Sequence, residues 1–494
     1  MSKAEWTDRF DHVVVLMLEN RSFDNLLGYL YESDAPSRFI GRGDPVFRGV
    51  AGRGDLWNAD NSEPPRRVPV TRAPFESSED MCHPCPDPGE FYKPHVNQQV
   101  YGQDEVPGSS AGLPNPAPMD GFVRDYIRAI KGWEAFDGVE PTYDVYSRIM
   151  NCFPPEAVPV LSTLAREFAV SDEWFCSVPS QTFCNRSFFH SAQSHGFVTN
   201  SDYLKWKRNT APTIFERLAE KLGGEQGWRV YWDQQDLYPI TRFIHPVLHQ
   251  GHHWSAFRHF EQFAQDCADG DLPAYSFIQP RLIFNHNDMH PPVVLNDRVH
   301  SSVLAGEPLV RDVYDAVRHG KRWLQTLLVI TFDEHGGCYD HWPPPLATEP
   351  HPDPEYHLEE GFRFDRFGIR VPTIFVSPYV APGTVIRAPG DVPFDHTSMI
   401  RTLSTKWDLE PLTERDRVAP DFGAVFTLSP SEARAKTPGV SPRPYTPISA
   451  EDAHQSLLSG FQRDLGQLVS HMLGKAAPVG IRTVGELLRH LRGA

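Results

Sequence analysis

Two short runs, residues 13–18 ("VVVLML") and 327–332 ("LLVITF"), are continuously apolar or β-branched, and each ends abruptly in acid: Glu19-Asn20 after the first, Asp333-Glu334 after the second. Unbroken runs of this kind are the pattern of strands in a parallel sheet covered on both faces. Similar runs occupy residues 229–232, 275–278 and 373–376, and helical patterns occupy 120–133, 160–168, 213–222 and 308–316. Strands alternating with helices predict an α/β fold: a doubly wound, mostly parallel sheet with helices on both faces. Residues 31–118 and 348–367, rich in Pro, Gly, Asp and Ser, are expected to form long loops over the carboxyl edge. The α/β domain is expected to span residues 1–430. Residues 431–494 read as a Pro-rich connector and C-terminal helices, with Leu457, Leu458, Phe461, Leu465, Leu468, Val469 and Met472 at helical spacing.

Composition limits the partners. The 494 residues carry a formal charge of −17, which repels polyanions and argues against nucleic acid and acidic membrane surfaces as partners. Seven scattered cysteines fit reduced thiols better than a disulfide framework. No apolar run is long enough to span a bilayer. No signal-peptide pattern precedes residue 12, so the sequence as it stands predicts a cytoplasmic protein, with export by another route left open. The oligomeric state is not legible.

In open α/β sheets ligands bind beyond the carboxyl ends of the strands. Glu19, Asp333 and Glu334, with Asn20, fall at two such ends, and three carboxylates brought together there call for a cation between them. Oxygen donors favour a hard or borderline divalent ion, whether Ca, Mg, Mn or Zn. The plainer alternative pairs Glu19 with Arg21 and has Asp333 cap a turn before Gly336-Gly337. A third stretch, "SVPSQTFCNRSFFHSAQSHG" (177–196), places Thr182 at the N-terminus of a helix carrying Asn185 and Arg186. Free amides there favour an anion. A hydroxyl beside a metal and one turn before an arginine suits attack on phosphorus, with the guanidinium offering a fork to the phosphoryl oxygens. The alternative is an ordinary Thr cap.

Five blocks, "LENRSFDNLLGYL", "SVPSQTFCNRSF", "NDMHPP", "TFDEHGGCYDHWPPP" and "FDHTSMIRTL", together resemble the bacterial phospholipase C and acid phosphatase phosphoesterase family, to which plant non-specific phospholipases C are similar. The resemblance implies an alkaline-phosphatase-like α/β core and a metal held by Glu19, Asn20, Asp333, Glu334 and the nucleophile, here Thr182. The family usually has proline where this chain has Cys184, which is expected to loosen the first helical turn without moving Thr182, Asn185 or Arg186 out of register. A departing alkoxide needs a proton, which an imidazole with a pKa near 6.5 supplies. His290 is the first candidate, then His83 and His95. His335, His341 and His396 lie in other matching blocks and are expected to orient groups or contact the metal. Cys82-His83-Pro84-Cys85 lacks the second cysteine pair of a structural zinc site.

The expected function is a metal-dependent phosphoesterase of phospholipase C type, acting on a phospholipid through a phosphothreonine intermediate. The aromatic content and negative charge are compatible with a cationic choline head group. The competing readings are an acid phosphatase acting on small soluble phosphomonoesters, a sulfatase, which would need Cys or Ser in place of Thr182, and a catalytically silent lipid- or glycan-binding module.

Overall fold

The structure, a computed structural model, describes residues 5–132, 140–236, 238–249, 251–292, 301–351, 358–446, 466–467, 469–471 and 473–492. Nine strands form the central sheet: β1 (His12–Leu18), β2 (Arg38–Ile40), β3 (Ala169–Ser171), β4 (Trp228–Trp232), β5 (Phe257–His259), β6 (Tyr275–Gln279), β7 (Thr326–Phe332), β8 (Thr373–Val376) and β9 (Thr384–Ile386). Their order across the sheet is β5-β4-β6-β1-β7-β8-β3-β9-β2. All neighbours run parallel except β8, which is antiparallel to both β7 and β3.

The expected mostly parallel sheet is therefore found, and burial explains its legibility. Alternate strand residues face opposite sides, yet every residue of β7 and all of β1 beyond His12 are buried, so both faces are covered. Each such Val, Leu, Ile or Phe contributes at most about 1.5–3 kcal/mol relative to exposure. Strands β2, β3, β5 and β9 have three residues each and escape a pattern reading. Residues 31–118 are correspondingly less irregular than expected: they contain β2 and the helix Asn97–Tyr101.

The four expected helices appear as Phe122–Gly132, Pro159–Glu167, Ile214–Leu222 and Val303–His319. The last begins earlier than residue 308, because the Ser302 side chain accepts from Leu304 N and starts the helix there, leaving Pro308 inside it. It packs on β1 and β7. A second apolar cluster joins Phe183, Cys184 and Phe188 to Tyr92, Phe362 and Phe364, and includes Val484, Leu487, Leu488 and Leu491 of the C-terminal helix Val484–Arg492. The helix expected over residues 457–472 lies for the most part outside the described residues. Among those described, no helix is long and apolar enough to cross a membrane.

Candidate active site

Three adjacent strands deliver the site. The parallel pairing of β1 with β7 ends at Leu18 opposite Phe332, so Glu19 and Asp333 leave the sheet side by side. Asp333 N donates to Leu18 O (3.2 Å) and Asn20 N to Asp333 Oδ1 (3.2 Å), which ties Glu19-Asn20 to Asp333-Glu334. On the other side of β1, β6 leads into the "NDMHPP" loop, whose Asp288 carbonyl accepts from Glu19 N (2.8 Å). The turn after Asp333-Glu334 requires glycine: Gly336 has a φ of +59°, and a Cβ there would lie 2.4 Å from Asn20 O.

Glu19, Asp333 and Glu334 are at most 3% exposed. Burial pushes all three carboxyls up; the Asp333 charge raises Glu19 and Glu334 further, against the pull of Arg186 on Glu19 and Asp333. The cationic partner of Glu19 and Asp333 is Arg186, whose Nε donates to Asp333 Oδ2 (3.0 Å) and whose Nη2 lies 3.3 Å from Glu19 Oε1. The alternative pairing of Glu19 with Arg21 does not occur: Arg21 turns to Met289 O, Asn25 and His83 O. Asn20 Oδ1 and Glu334 Oε1 are buried without a hydrogen-bond partner, as is Glu19 Oε1 apart from that ion pair. Oxygen donors aimed inward, and carboxyls that resist ionisation for want of positive charge, fit a divalent cation.

Two corrections concern the helix Thr182–Ser191. Thr182 is its first residue and Gln181 occupies the cap position without a side-chain cap bond; Phe183 N is instead satisfied by Asn200 Oδ1 (2.9 Å). The Thr182 hydroxyl thus has no capping duty. Arg186, one turn on and on the same face, does not present a free fork, because its Nε and Nη2 are engaged by Asp333, Glu19 and the carbonyls of Met17 and Leu18 (3.3 and 3.4 Å). Two buried carboxylates outcompete any other use of those edges, and Nη1 alone is without a partner. Asn185 fastens the turn before Thr182, accepting from Val178 N and donating to Val178 O and Ser180 O.

The histidines divide. His290 joins the cluster: its Nε2 accepts from Asn20 Nδ2 (2.9 Å), while Nδ1 donates to Pro291 O (2.5 Å). Burial pulls its pKa down from the ordinary imidazole value to about 4. His83, also pulled down to about 4 by burial, meets Arg21 only through its backbone carbonyl. His396 Nε2 donates to Asp333 O (2.6 Å) with its Nδ1 accepting from Trp174 Nε1, so it orients a strand end. His335 contacts Gln99 Oε1, and Gln99 Nε2 donates to Asp125, which holds His95 at 2.9 Å. His341 stands apart, in a cluster with Asp24 and Asp340 that Arg370 bridges (3.0 and 2.9 Å).

Two acids in the irregular stretch "CHPCPDPGE" (82–90) carry no signal in the sequence, where His83 and the Cys82/Cys85 pair stand out instead. Glu90 accepts from Asn20 Nδ2 (2.5 Å) and Gln181 Nε2 (3.1 Å) and touches the Glu334 carboxyl. Asp87 lies beside it, and burial raises both carboxyls well above the usual range. Acidic residues in a loop without periodicity carry no signal until the loop is seen to fold over the carboxyl edge.

The phosphoesterase family matches residues 10–410. Non-specific phospholipase C4 of Arabidopsis thaliana is 33% identical over 94% of this chain and 80% of its own length. Phospholipase C A of Mycobacterium tuberculosis is 24% identical over 88% and 79%. A solved protein of the alkaline phosphatase superfamily from Vibrio parahaemolyticus superposes with a TM-score of 0.32 at 12% identity, covering 53% of this chain and 64% of its own. With Glu19-Asn20 and Asp333-Glu334 from adjacent strands converging at the sheet's carboxyl edge and a family match over most of its length, the chain belongs to the phosphoesterase family and is a phosphoric ester hydrolase.

Proposed function

We propose that this chain is a phosphodiesterase of phospholipase C type that cleaves a phospholipid to diacylglycerol and a phosphorylated head group through a phosphothreonine intermediate. The observation that carries the reading is the meeting of Glu19-Asn20 and Asp333-Glu334 with Arg186, one turn from Thr182, in a chain similar to named phospholipases C. Glu19, Asn20, Asp333, Glu334 and Thr182 would hold one divalent cation, which when bound supplies positive charge to the phosphoryl oxygens and lowers the pKa of a neighbouring hydroxyl. Thr182 Oγ1 gives up its proton and attacks phosphorus; its new P–O bond forms as the bond to the diacylglycerol oxygen breaks, a histidine, His290 first, delivers a proton to that departing oxygen, and water then hydrolyses the phosphothreonine. Arg186 keeps Glu19 and Asp333 in place, leaving Nη1 as the atom available to a phosphoryl oxygen.

The test is hydrolysis of phosphatidylcholine, p-nitrophenyl phosphorylcholine and p-nitrophenyl phosphate in parallel, with and without chelator. Chelator-sensitive cleavage of the two diesters ahead of the monoester is expected. Preference for the monoester would replace the phospholipase reading with that of an acid phosphatase, and full activity in excess chelator would remove the cation from the mechanism.

A further inference from the structure

Arg124, Arg128 and Lys131 follow one another at i, i+4 and i+7 along the helix Phe122–Gly132, a spacing that puts them in one stripe. The stripe lines a cavity of about 390 Å3, walled further by Ile127 of the same helix, Gln98 of the helix Asn97–Tyr101 and Asn61 of the loop 60–66. That volume falls within the roughly 300–1,000 Å3 of small-molecule pockets. We infer that this cavity is an anion site, separate from the catalytic cluster, that takes a phosphate group carrying two negative charges, either free or as the head group of an acidic phospholipid.

Three observations carry this. The cavity's donors are unspent: Arg128 gives Nη2 to Asp104 Oδ1 (2.5 Å), but its Nη1 is shielded from water without a hydrogen-bond partner. Gln98 is only 6% exposed, yet its side-chain amide has no hydrogen-bond partner among the described residues, so the accessible part of a buried amide opens on the cavity it lines. Finally, the charge is uncompensated. Of the three cations only Arg128 has an acidic partner; the side chains of Arg124 and Lys131 have none among the described residues, and two free positive charges match a phosphate dianion. A guanidinium presents a planar fork to phosphoryl oxygens and an ammonium a compact point charge, so the pair suits phosphate and opposes a cationic choline group.

The cavity backs onto the catalytic framework without belonging to it. Arg124 and Gln98 line it, while their neighbours in sequence, Asp125 and Gln99, hydrogen-bond to each other (2.8 Å) and contact His95 (2.9 Å) and His335 (2.8 Å). None of Glu19, Asn20, Thr182, Asp333 and Glu334 is among its lining residues. The inference therefore stands whatever substrate the catalytic cluster cleaves. In a chain whose charge of −17 repels acidic surfaces at long range, a local cationic pocket gives a phosphate-bearing surface or solute one place to bind.

The test compares full-length wild type with the double variant Arg124→Gln/Lys131→Gln, with Gln98→Leu, and with Lys207→Gln/Arg208→Gln, a control that removes two charges outside the cavity. Glutamine is a good helix former, and circular dichroism identifies any variant that fails to fold. One arm is equilibrium dialysis against inorganic phosphate after chelator treatment, which leaves no cation at the catalytic cluster to hold the anion. The other is flotation with phosphatidylcholine vesicles with and without phosphatidic acid. Wild type and control should bind phosphate, the phosphatidic acid vesicles or both; the double variant should bind more weakly by roughly fivefold for each charge removed, and Gln98→Leu should share the loss with its charge unchanged. Loss confined to dialysis identifies a soluble phosphate as the ligand, and loss confined to the phosphatidic acid vesicles identifies a lipid head group. Wild type that bound neither probe, binding that survived unchanged in the double variant or in folded Gln98→Leu, or a control that lost as much as the double variant would overturn the site.

Discussion

At the scale of single residues, the site turns on whether Thr182 has any structural task. A threonine at a helix N-terminus usually earns its place as a cap, and its removal costs about 1 kcal/mol. Here the cap position belongs to Gln181 and the Phe183 amide to Asn200, so Thr182→Ala should unfold at nearly the wild-type temperature. As the nucleophile, it should instead lose several orders of magnitude in turnover, while Thr182→Ser keeps measurable activity. Thermal melts alongside initial rates on p-nitrophenyl phosphorylcholine separate the two roles, and a Thr182→Ala enzyme with a tenth of wild-type turnover would exclude it as nucleophile. Residue types were the most legible feature of the site: the acid pairs and the Thr-Arg spacing stand out because each follows a strand or begins a helix. Arg186 shows the limit. Its position was legible but its partners were not, because which buried carboxylate claims a guanidinium depends on elements more than a hundred residues apart, as |i−j| of 147 to Asp333 shows.

Elements set how accurately those residues meet. Gly336 must take a left-handed φ directly beneath Asn20, with 2.4 Å between a would-be Cβ and Asn20 O. Gly336→Ala should therefore cost at least about 1–2 kcal/mol for the backbone alone and displace Asn20 from Asp333, lowering activity more than its destabilisation accounts for. Urea unfolding together with rates under folding conditions measures both, and an active, unshifted variant would show that the turn has slack. Cys184 is the converse case. It is buried in the second apolar cluster with its Sγ on Phe197 O (3.4 Å), and burial holds the thiol protonated. This is the setting of a filler, so Cys184→Ala should retain cation and turnover. Cys184→Pro, in the first helical turn, should be tolerated with a gain of about 0.4–1 kcal/mol. Loss of bound metal in a folded Cys184→Ala protein would bring the thiol into the chemistry. The long strands were readable because burial on both faces makes them uniformly apolar. The three-residue strands β2, β3, β5 and β9 were not, since their membership depends on pairing with distant partners.

For the whole molecule, the cation site ties stability to pH in a way that depends on metal. Without a cation, Glu19, Asp333 and Glu334 all have carboxyls raised above their unfolded values, with burial the leading cause in each. A raised folded pKa means the folded chain holds protons the unfolded chain has released. The resulting stability is present below the ordinary carboxylate range and is lost as pH rises through the folded values. A bound cation reverses this: the carboxylates stay ionised in the fold, their protons are expelled on binding, and the dependence disappears. The stability gap between loaded and stripped protein should therefore widen from pH 5 to pH 8, on the order of 1 kcal/mol per pH unit for each proton the stripped site still holds. Glu307, pushed up to about 8 by burial where it accepts from Val160 N and Leu161 N, titrates in both forms and cancels from the difference. Paired melts with excess Zn2+ or Mn2+ and with chelator, across that pH range, measure the gap. A gap that stayed constant with pH would mean that the buried carboxyls do not exchange protons for cations, and the strand-end acids would then be a charge network closed by Arg186 alone.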